Sequence, residues 1–362
     1  MIKQFLINCM VKLTGTAPVI PQEIYAVPDM ECCVYFFNLA PCGFPGEIEV
    51  TTPIGRQDAK RWRFTPAPED AGKSFPLQIE WKAPDGSTLA VCKSMVRVAE
   101  AVLKKELKIM LLGDSLIEGS RFPSFLRQQL EDDGYAVKFI GSHTDNGQPA
   151  ADPNDLLHEG IGGWAFSDFA SRWVDDEHYK KGNSHFLTAP GKFDFQAYLD
   201  KYNAGEDPDF ILISLGANDV ALADDSNISA ALKQASASMD ILVRGIFKAV
   251  PNVKIGFCLP YPGASQDAFG NNYGTKIRRA QYHRNLLKLW KMISDKCRAD
   301  RNMSVVPLNV SMDTEHNFPE TPESAFEGSS VNVIRQNNAL HANENGHRQI
   351  SNTLYYWLRN NM

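Results

Sequence analysis

Leu107-Lys-Ile-Met-Leu-Leu-Gly113-Asp114-Ser115-Leu116 is the stretch on which the fold turns. An almost unbroken apolar run of strand length, stopped by Gly, reads as a buried strand that turns into a helix. Similar runs follow at Val137-Lys-Phe-Ile140, Phe210-Ile-Leu-Ile-Ser-Leu215, Val253-Lys-Ile-Gly-Phe-Cys-Leu259 and Ser304-Val-Val-Pro-Leu308. Helical stretches lie near 122–132, 229–249, 276–299 and 344–360. Strand and helix in turn predict an α/β domain with a parallel sheet and helices on both faces. Ligands of such sheets bind beyond the carboxyl ends of the strands.

Upstream the character differs. Short β-rich runs recur at Ile24-Tyr-Ala-Val27, Cys33-Val-Tyr-Phe-Phe-Asn-Leu39, Glu47-Ile-Glu-Val-Thr51, Arg61-Trp-Arg-Phe64, Leu77-Gln-Ile-Glu-Trp81 and Met95-Val-Arg-Val98. Pro, Gly and Asp clusters separate them, the rhythm of an all-β sandwich. Residues 77, 79 and 81 alternate onto one face, and Trp62 and Trp81 read as core. The expected division is an Ig-like β-sandwich over 1–98, a charged connector Ala99–Glu106, and a second domain over 107–362.

Composition closes several function classes. The 43% hydrophobic content, with 20 Phe, 11 Tyr and 6 Trp, is that of a chain with a packed core. A net charge of −6 and no dense Lys/Arg run argue against a nucleic-acid partner. The apolar stretches are too short and too broken by charge for a membrane span. Seven cysteines without a CxxC pair give neither a disulfide framework nor a zinc spacing, so buried reduced thiols are expected. Near the N-terminus, Asn8 interrupts a short apolar stretch, so no convincing signal peptide is read and both secreted and cytoplasmic locations stay open. The eight His are scattered, and His341 and His347 do not form an HExxH pair, so no metal and no cofactor are expected.

Four blocks beside the strands carry chemistry. In Gly113-Asp114-Ser115-Leu116 the Ser sits at a strand-to-helix turn, suited to a nucleophile, although an N-cap looks the same. In Gly216-Ala217-Asn218-Asp219 the Asn amide can face developing negative charge, or merely cap a turn. In His158-Glu-Gly160-Ile-Gly162-Gly163-Trp164 the glycines expose backbone N–H groups, and Trp164 either stacks on a sugar or covers core. Asn337-Asn338-Ala-Leu-His341 precedes the last helix and offers His341 as a general base, or only as a solvated loop His.

Taken together and in this order, Gly113-Asp-Ser-Leu116, Gly160-Ile-Gly-Gly163, Gly216-Ala-Asn-Asp219 and Asn338-Ala-Leu-His341 resemble the four signature blocks of the SGNH (GDSL-type) hydrolase superfamily. The resemblance covers about 107–362 and extends to gut-bacterial members that carry an N-terminal β-sandwich, through Asp313-Thr-Glu-His-Asn-Phe-Pro319. It implies a flavodoxin-like three-layer α/β/α domain and acyl hydrolysis without a metal. It assigns Ser115 as nucleophile and oxyanion N–H donor, Gly163 and Asn218 as the other donors, and His341 as base and then acid. Trp164 and Asp114 fall to the substrate side, and His316 is a rival base. The G-x-S-x-G elbow of another serine-hydrolase class is absent.

One position departs from the pattern. The family has Asp three residues before the His, and this chain has Asn338. Either Asn338 orients His341 as a neutral partner, or a backbone carbonyl or another acid does so, or the site is weakened. The segments 174–208 and 260–274 are polar and aromatic without a long greasy lid, which favours an acylated sugar over a long-chain lipid. The expectation is a serine esterase that removes acetyl or another short acyl group from a small or oligosaccharide ester. The alternatives are a lipase or lysophospholipase, and a glycan-binding protein with a decayed site.

Overall fold

The computed structural model describes residues 17–101, 106–144, 155–174, 182–266, 268–271 and 274–362. The N-terminal stretch weighed as a signal peptide, and Cys9, lie outside these residues.

The first part of the chain forms seven strands: β1 (Glu23–Ala26), β2 (Cys32–Tyr35), β3 (Glu47–Thr51), β4 (Arg56–Gln57), β5 (Arg61–Phe64), β6 (Ser74–Lys82) and β7 (Thr88–Val98). They build two sheets, ordered β1-β7-β6-β3 and β2-β5-β4. In β6 the alternation works as read, with Leu77, Ile79 and Trp81 buried and their neighbours not. Phe64 of one sheet meets Phe75 of the other edge-on, with ring centroids 6.1 Å apart. Trp62 and Trp81 are core residues.

One strand reading needs correction. The run from Cys33 to Leu39 leaves the sheet after Tyr35 and becomes a short helix, Phe36–Leu39. The turn is held from outside the sandwich, since the buried Asn38 amide donates to Met312 O at 2.8 Å.

The second part begins with β8 (Glu106–Gly113), β9 (Ala136–Ile140) and β10 (Glu159–Gly160). A hairpin follows, β11 (Leu187–Ala189) with β12 (Lys192–Phe193). Then come β13 (Phe210–Ser214), β14 (Lys254–Cys258), β15 (Met303–Val306) and a second hairpin, β16 (Glu320–Ser324) with β17 (Asn332–Gln336). The main sheet is parallel and runs β9-β8-β13-β14-β15, with the short β10 continuing beside the end of β8. This is the flavodoxin-like order, in which the second strand lies outside the first. Strand β8 is central, which is why its residues Ile109–Leu112 are wholly buried. Helix Arg121–Asp132 packs on helix Glu344–Asn361, and helix Ile228–Ala249 on helix Arg279–Cys297. These pairs supply the two outer layers.

The strand-rich part docks on the last helix. Tyr356 donates to Glu31 O at 2.9 Å and the Asn360 amide to Ala26 O at 3.1 Å. Among the described residues no two cysteines are bonded to each other, and of the six only Cys42 is not buried. Among the described residues no helix is long and apolar enough to cross a membrane.

Candidate active site

The topological switch point lies between β8 and β13, where successive connections leave to opposite sides. Ser115 follows β8 and Asn218 follows β13, so the fold brings both to one rim. The turn after β8 requires glycine. A Cβ on Gly113 would stand 2.5 Å from Ser214 O and 2.7 Å from Ile117 Cδ1. Asp114 then caps the short helix Ser115–Glu118, its Oδ1 accepting the Leu116 N–H at 3.1 Å. Gly216 turns the chain out of the sheet at φ +112°, a conformation open to glycine, and starts the helix Ala217–Val220.

His341 arrives from the far end of the chain. Its ring Nε2 lies 2.8 Å from Ser115 Oγ, across 226 positions of sequence. The loop that carries it is tightly anchored. Asn338 Oδ1 accepts the N–H groups of Leu340 at 3.1 Å and His341 at 2.9 Å. Tyr261 donates its hydroxyl to Leu340 O at 2.7 Å, and Ala264 N–H donates to Ala339 O at 2.9 Å. Partial burial lowers the basicity of His341 below its ordinary value.

The other ring nitrogen of His341 meets an unexpected group. Asn338 turns its amide nitrogen, not its oxygen, toward Nδ1, at 3.5 Å. The orientation follows from the backbone, because the oxygen already accepts two N–H groups and an amide flip would break both. A donor facing Nδ1 favours the tautomer with its proton on Nε2. That is the wrong end for taking a proton from Ser115.

A cavity of about 290 Å³ opens at this rim. Ser115, Gly163, Asn218, His341, Tyr261 and Tyr282 line it, with several leucines. The two tyrosines were not singled out in the sequence. Tyr261 lies two residues beyond the fourth apolar run, at the start of its loop, a signal that could have found it. Segment 260–274 does reach the cavity, through Pro260 and Tyr261. No described residue of 174–208 does; Phe186, Phe195 and Tyr198 of that segment pack together instead.

Asn218 is held in place from beneath. Its Nδ2 donates to Trp164 O at 3.0 Å and more loosely to Asp114 Oδ2 at 3.3 Å. Asp114 is 5% exposed. Burial pushes its carboxyl up to about 7, with Asp219 and Glu118 adding repulsion and the Leu116 N–H opposing. Its oxygens engage Leu116 and Asn218, so it supports the rim from below. Trp164 is 2% exposed and edge-on to Phe169 at 4.7 Å. It covers core and has no face for a sugar. His316 is paired with Asp313 at 3.0 Å and does not line the cavity of Ser115.

A family model described as GDSL-like Lipase/Acylhydrolase matches residues 109–354. No curated protein matches the chain. Among solved structures, a family 3 carbohydrate esterase from Clostridium thermocellum is 22% identical, covers 69% of this chain and 94% of its own, and superposes with a TM-score of 0.41. A carbohydrate esterase family 3 structure from Talaromyces cellulolyticus is 17% identical over 70% of this chain and 96% of its own, with a TM-score of 0.42. The aryl esterase of M. smegmatis is 15% identical over 70% and 98%, with a TM-score of 0.42.

Proposed function

The chain belongs to the GDSL-like lipase/acylhydrolase family, and from that premise we propose that it is a serine esterase removing acetyl or another short acyl group from a carbohydrate. The observation that carries this reading is the 2.8 Å contact between Ser115 Oγ and His341 Nε2 at the wall of a cavity of only about 290 Å³. That volume is at the small end for ligand pockets, which suits a short acyl chain and leaves the alcohol outside. A long-chain lipase would need more apolar room.

In the proposed reaction Ser115 Oγ attacks the ester carbonyl and His341 Nε2 takes its proton. The tetrahedral oxyanion rests on the N–H groups of Ser115 and Gly163 and on Asn218 Nδ2. The hydrogen that Asn218 shares loosely with Asp114 is the one available to the oxyanion, while the bond to Trp164 O keeps the amide aimed. His341 protonates the leaving alcohol. It then deprotonates the water that releases the acid. Asp114 lines the cavity and also positions Asn218.

Asn338 holds the loop backbone in this scheme. It does not hold the Nδ1–H tautomer, so Ser115 and His341 work as a dyad. The same amide orientation favours one second reading, a glycan-binding protein with a decayed site. The β-rich part up to residue 98 is read as a separate module that braces the last helix.

The test is a panel of aryl esters of rising chain length with acetylated oligosaccharides, run on the parent and Ser115→Ala. The parent should prefer acetate, and Ser115→Ala should lose at least about 10³-fold in kcat. Equal turnover by both would remove Ser115 as nucleophile. Failure of the parent to take up a serine-directed fluorophosphonate would favour the decayed site.

A further inference from the structure

A second cluster of reactive side chains lies at the edge of the main sheet, outside the cavity of Ser115. His143 follows β9, Glu159 opens β10, and His185 precedes the hairpin β11-β12. Their ligand atoms all fall within 4.8 Å of one another. The backbone is built to hold them. His143 and His158 exchange both N–H···O bonds, at 3.1 and 2.9 Å, so the segments before and after are fixed in register.

The carboxylate at the centre is 1% exposed. Its Oε1 accepts the Ser142 N–H and the Tyr198 hydroxyl, both at 2.8 Å. Its Oε2 faces two imidazoles, with His143 Nδ1 and His185 Nδ1 each at 3.7 Å. That is too long for a hydrogen bond. It is close to the roughly 3.4 Å that separates two ligand atoms around a tetrahedral ion with N and O bonds near 2.0–2.2 Å. The two rings lie nearly parallel, their centroids 4.9 Å apart, and each Nδ1 is 3.7 Å from Oε2. Tyr202 stacks on His185 at 4.9 Å and holds that ring. Ser142 Oγ closes the group, 2.7 Å from His185 Nδ1 and 3.0 Å from His143 Nδ1.

We propose that His143, Glu159 and His185 form a binding site for a zinc-class divalent cation, with Ser142 Oγ or a water in the fourth position. Two imidazoles and one carboxylate select a borderline transition metal over calcium or magnesium, which prefer all-oxygen cages. The His side chains stay 18% and 30% exposed, which leaves an entry path. The ion would tie three separate segments to the sheet edge, one residue before the Gly160–Gly163 block. Its role is that of a brace.

The full chain, stripped with a chelator and dialysed, is titrated with Zn²⁺ by calorimetry and followed by thermal unfolding. One equivalent should bind, and Tm should rise by about 5 °C at a hundredfold excess over Kd. Ca²⁺ should do neither. His185→Ala and His143→Ala should each weaken zinc binding at least tenfold, and His316→Ala should leave it unchanged. Co²⁺ added to the unmutated chain should give the visible absorption of a tetrahedral site, which keeps the proposal decidable if a variant misfolds. Zinc uptake well below one equivalent with an unmoved Tm, or full uptake by the His143→Ala/His185→Ala double variant, would overturn the proposal.

Discussion

At the scale of single residues, the proposed catalytic unit depends on which group faces His341 Nδ1. Asn338 presents a donor there because its oxygen is engaged by the backbone N–H groups of Leu340 and His341. Asn338→Asp keeps an oxygen for those two donors and sets a second oxygen against Nδ1. The expected result is a gain in kcat of tenfold or more, within the limit of about 10⁴ seen for the reverse change in a Ser-His-Asp enzyme. The pH profile should move as well. His341 must be neutral to act, and burial lowers its pKa, so the acid limb of kcat/KM in the parent should fall below about 6.5. A carboxylate at 338 favours the imidazolium and should shift that limb upward. A profile that does not move, with no gain in kcat, would mean that another group orients the ring.

At the scale of elements, the loop carrying His341, the proposed base, runs directly into the last helix, whose start stops the loop. Asn343 caps Glu344–Asn361, its Oδ1 accepting the Gly346 N–H at 3.0 Å. Its Nδ2 donates to His316 O at 3.0 Å and Phe318 O at 3.2 Å. The side chain therefore ties the helix to the neighbouring loop as well as capping it. Asn343→Ala should lower stability by about 1–2 kcal/mol in urea denaturation. It should also reduce kcat more than it raises KM, because the loop bearing His341 loses its anchor. An unchanged midpoint would show that the loop is held without Asn343, by Tyr261, Ala264 and Asn338.

For the molecule as a whole, buried titratable groups set how stability follows pH. Burial pushes His158 and His347 down to about 4. For His158 the geometry agrees, since Nδ1 accepts the Gly160 N–H at 3.0 Å and has no room for a proton. These rings stay neutral in the fold while the unfolded chain takes up protons below about 6.5, so stability falls on acidification between about 6.5 and 4. Asp114, pushed up by burial to about 7, and Asp219, to about 6, act the other way. Each holds a proton in the fold that the unfolded chain has released, so its contribution is present at low pH and lost as pH rises through the folded value. Asp114→Asn removes one of those folded-state protons. Unfolding free energy between pH 4.5 and 6 should then rise with pH more steeply than in the parent, by about 1.4 kcal/mol per unit. Denaturant curves at three pH values measure this, and parallel slopes for parent and variant would refute the assignment.

What can be read along the chain is what neighbours in sequence encode. The apolar run at 107–112 had to become a central strand, because water excludes it on both faces. The four blocks lie at strand ends or before the last helix, because that is where the periodic pattern stops. The run through Phe36–Leu39 misled for the same reason: its local pattern suits a strand, while its helical turn is held by Met312 O from the other end of the chain. Docking between distant segments decided the rest. It set the burial of Trp164 and the meeting of His143, Glu159 and His185 from three separate segments. Such pairings depend on where whole elements pack, and no spacing along the chain records that distance.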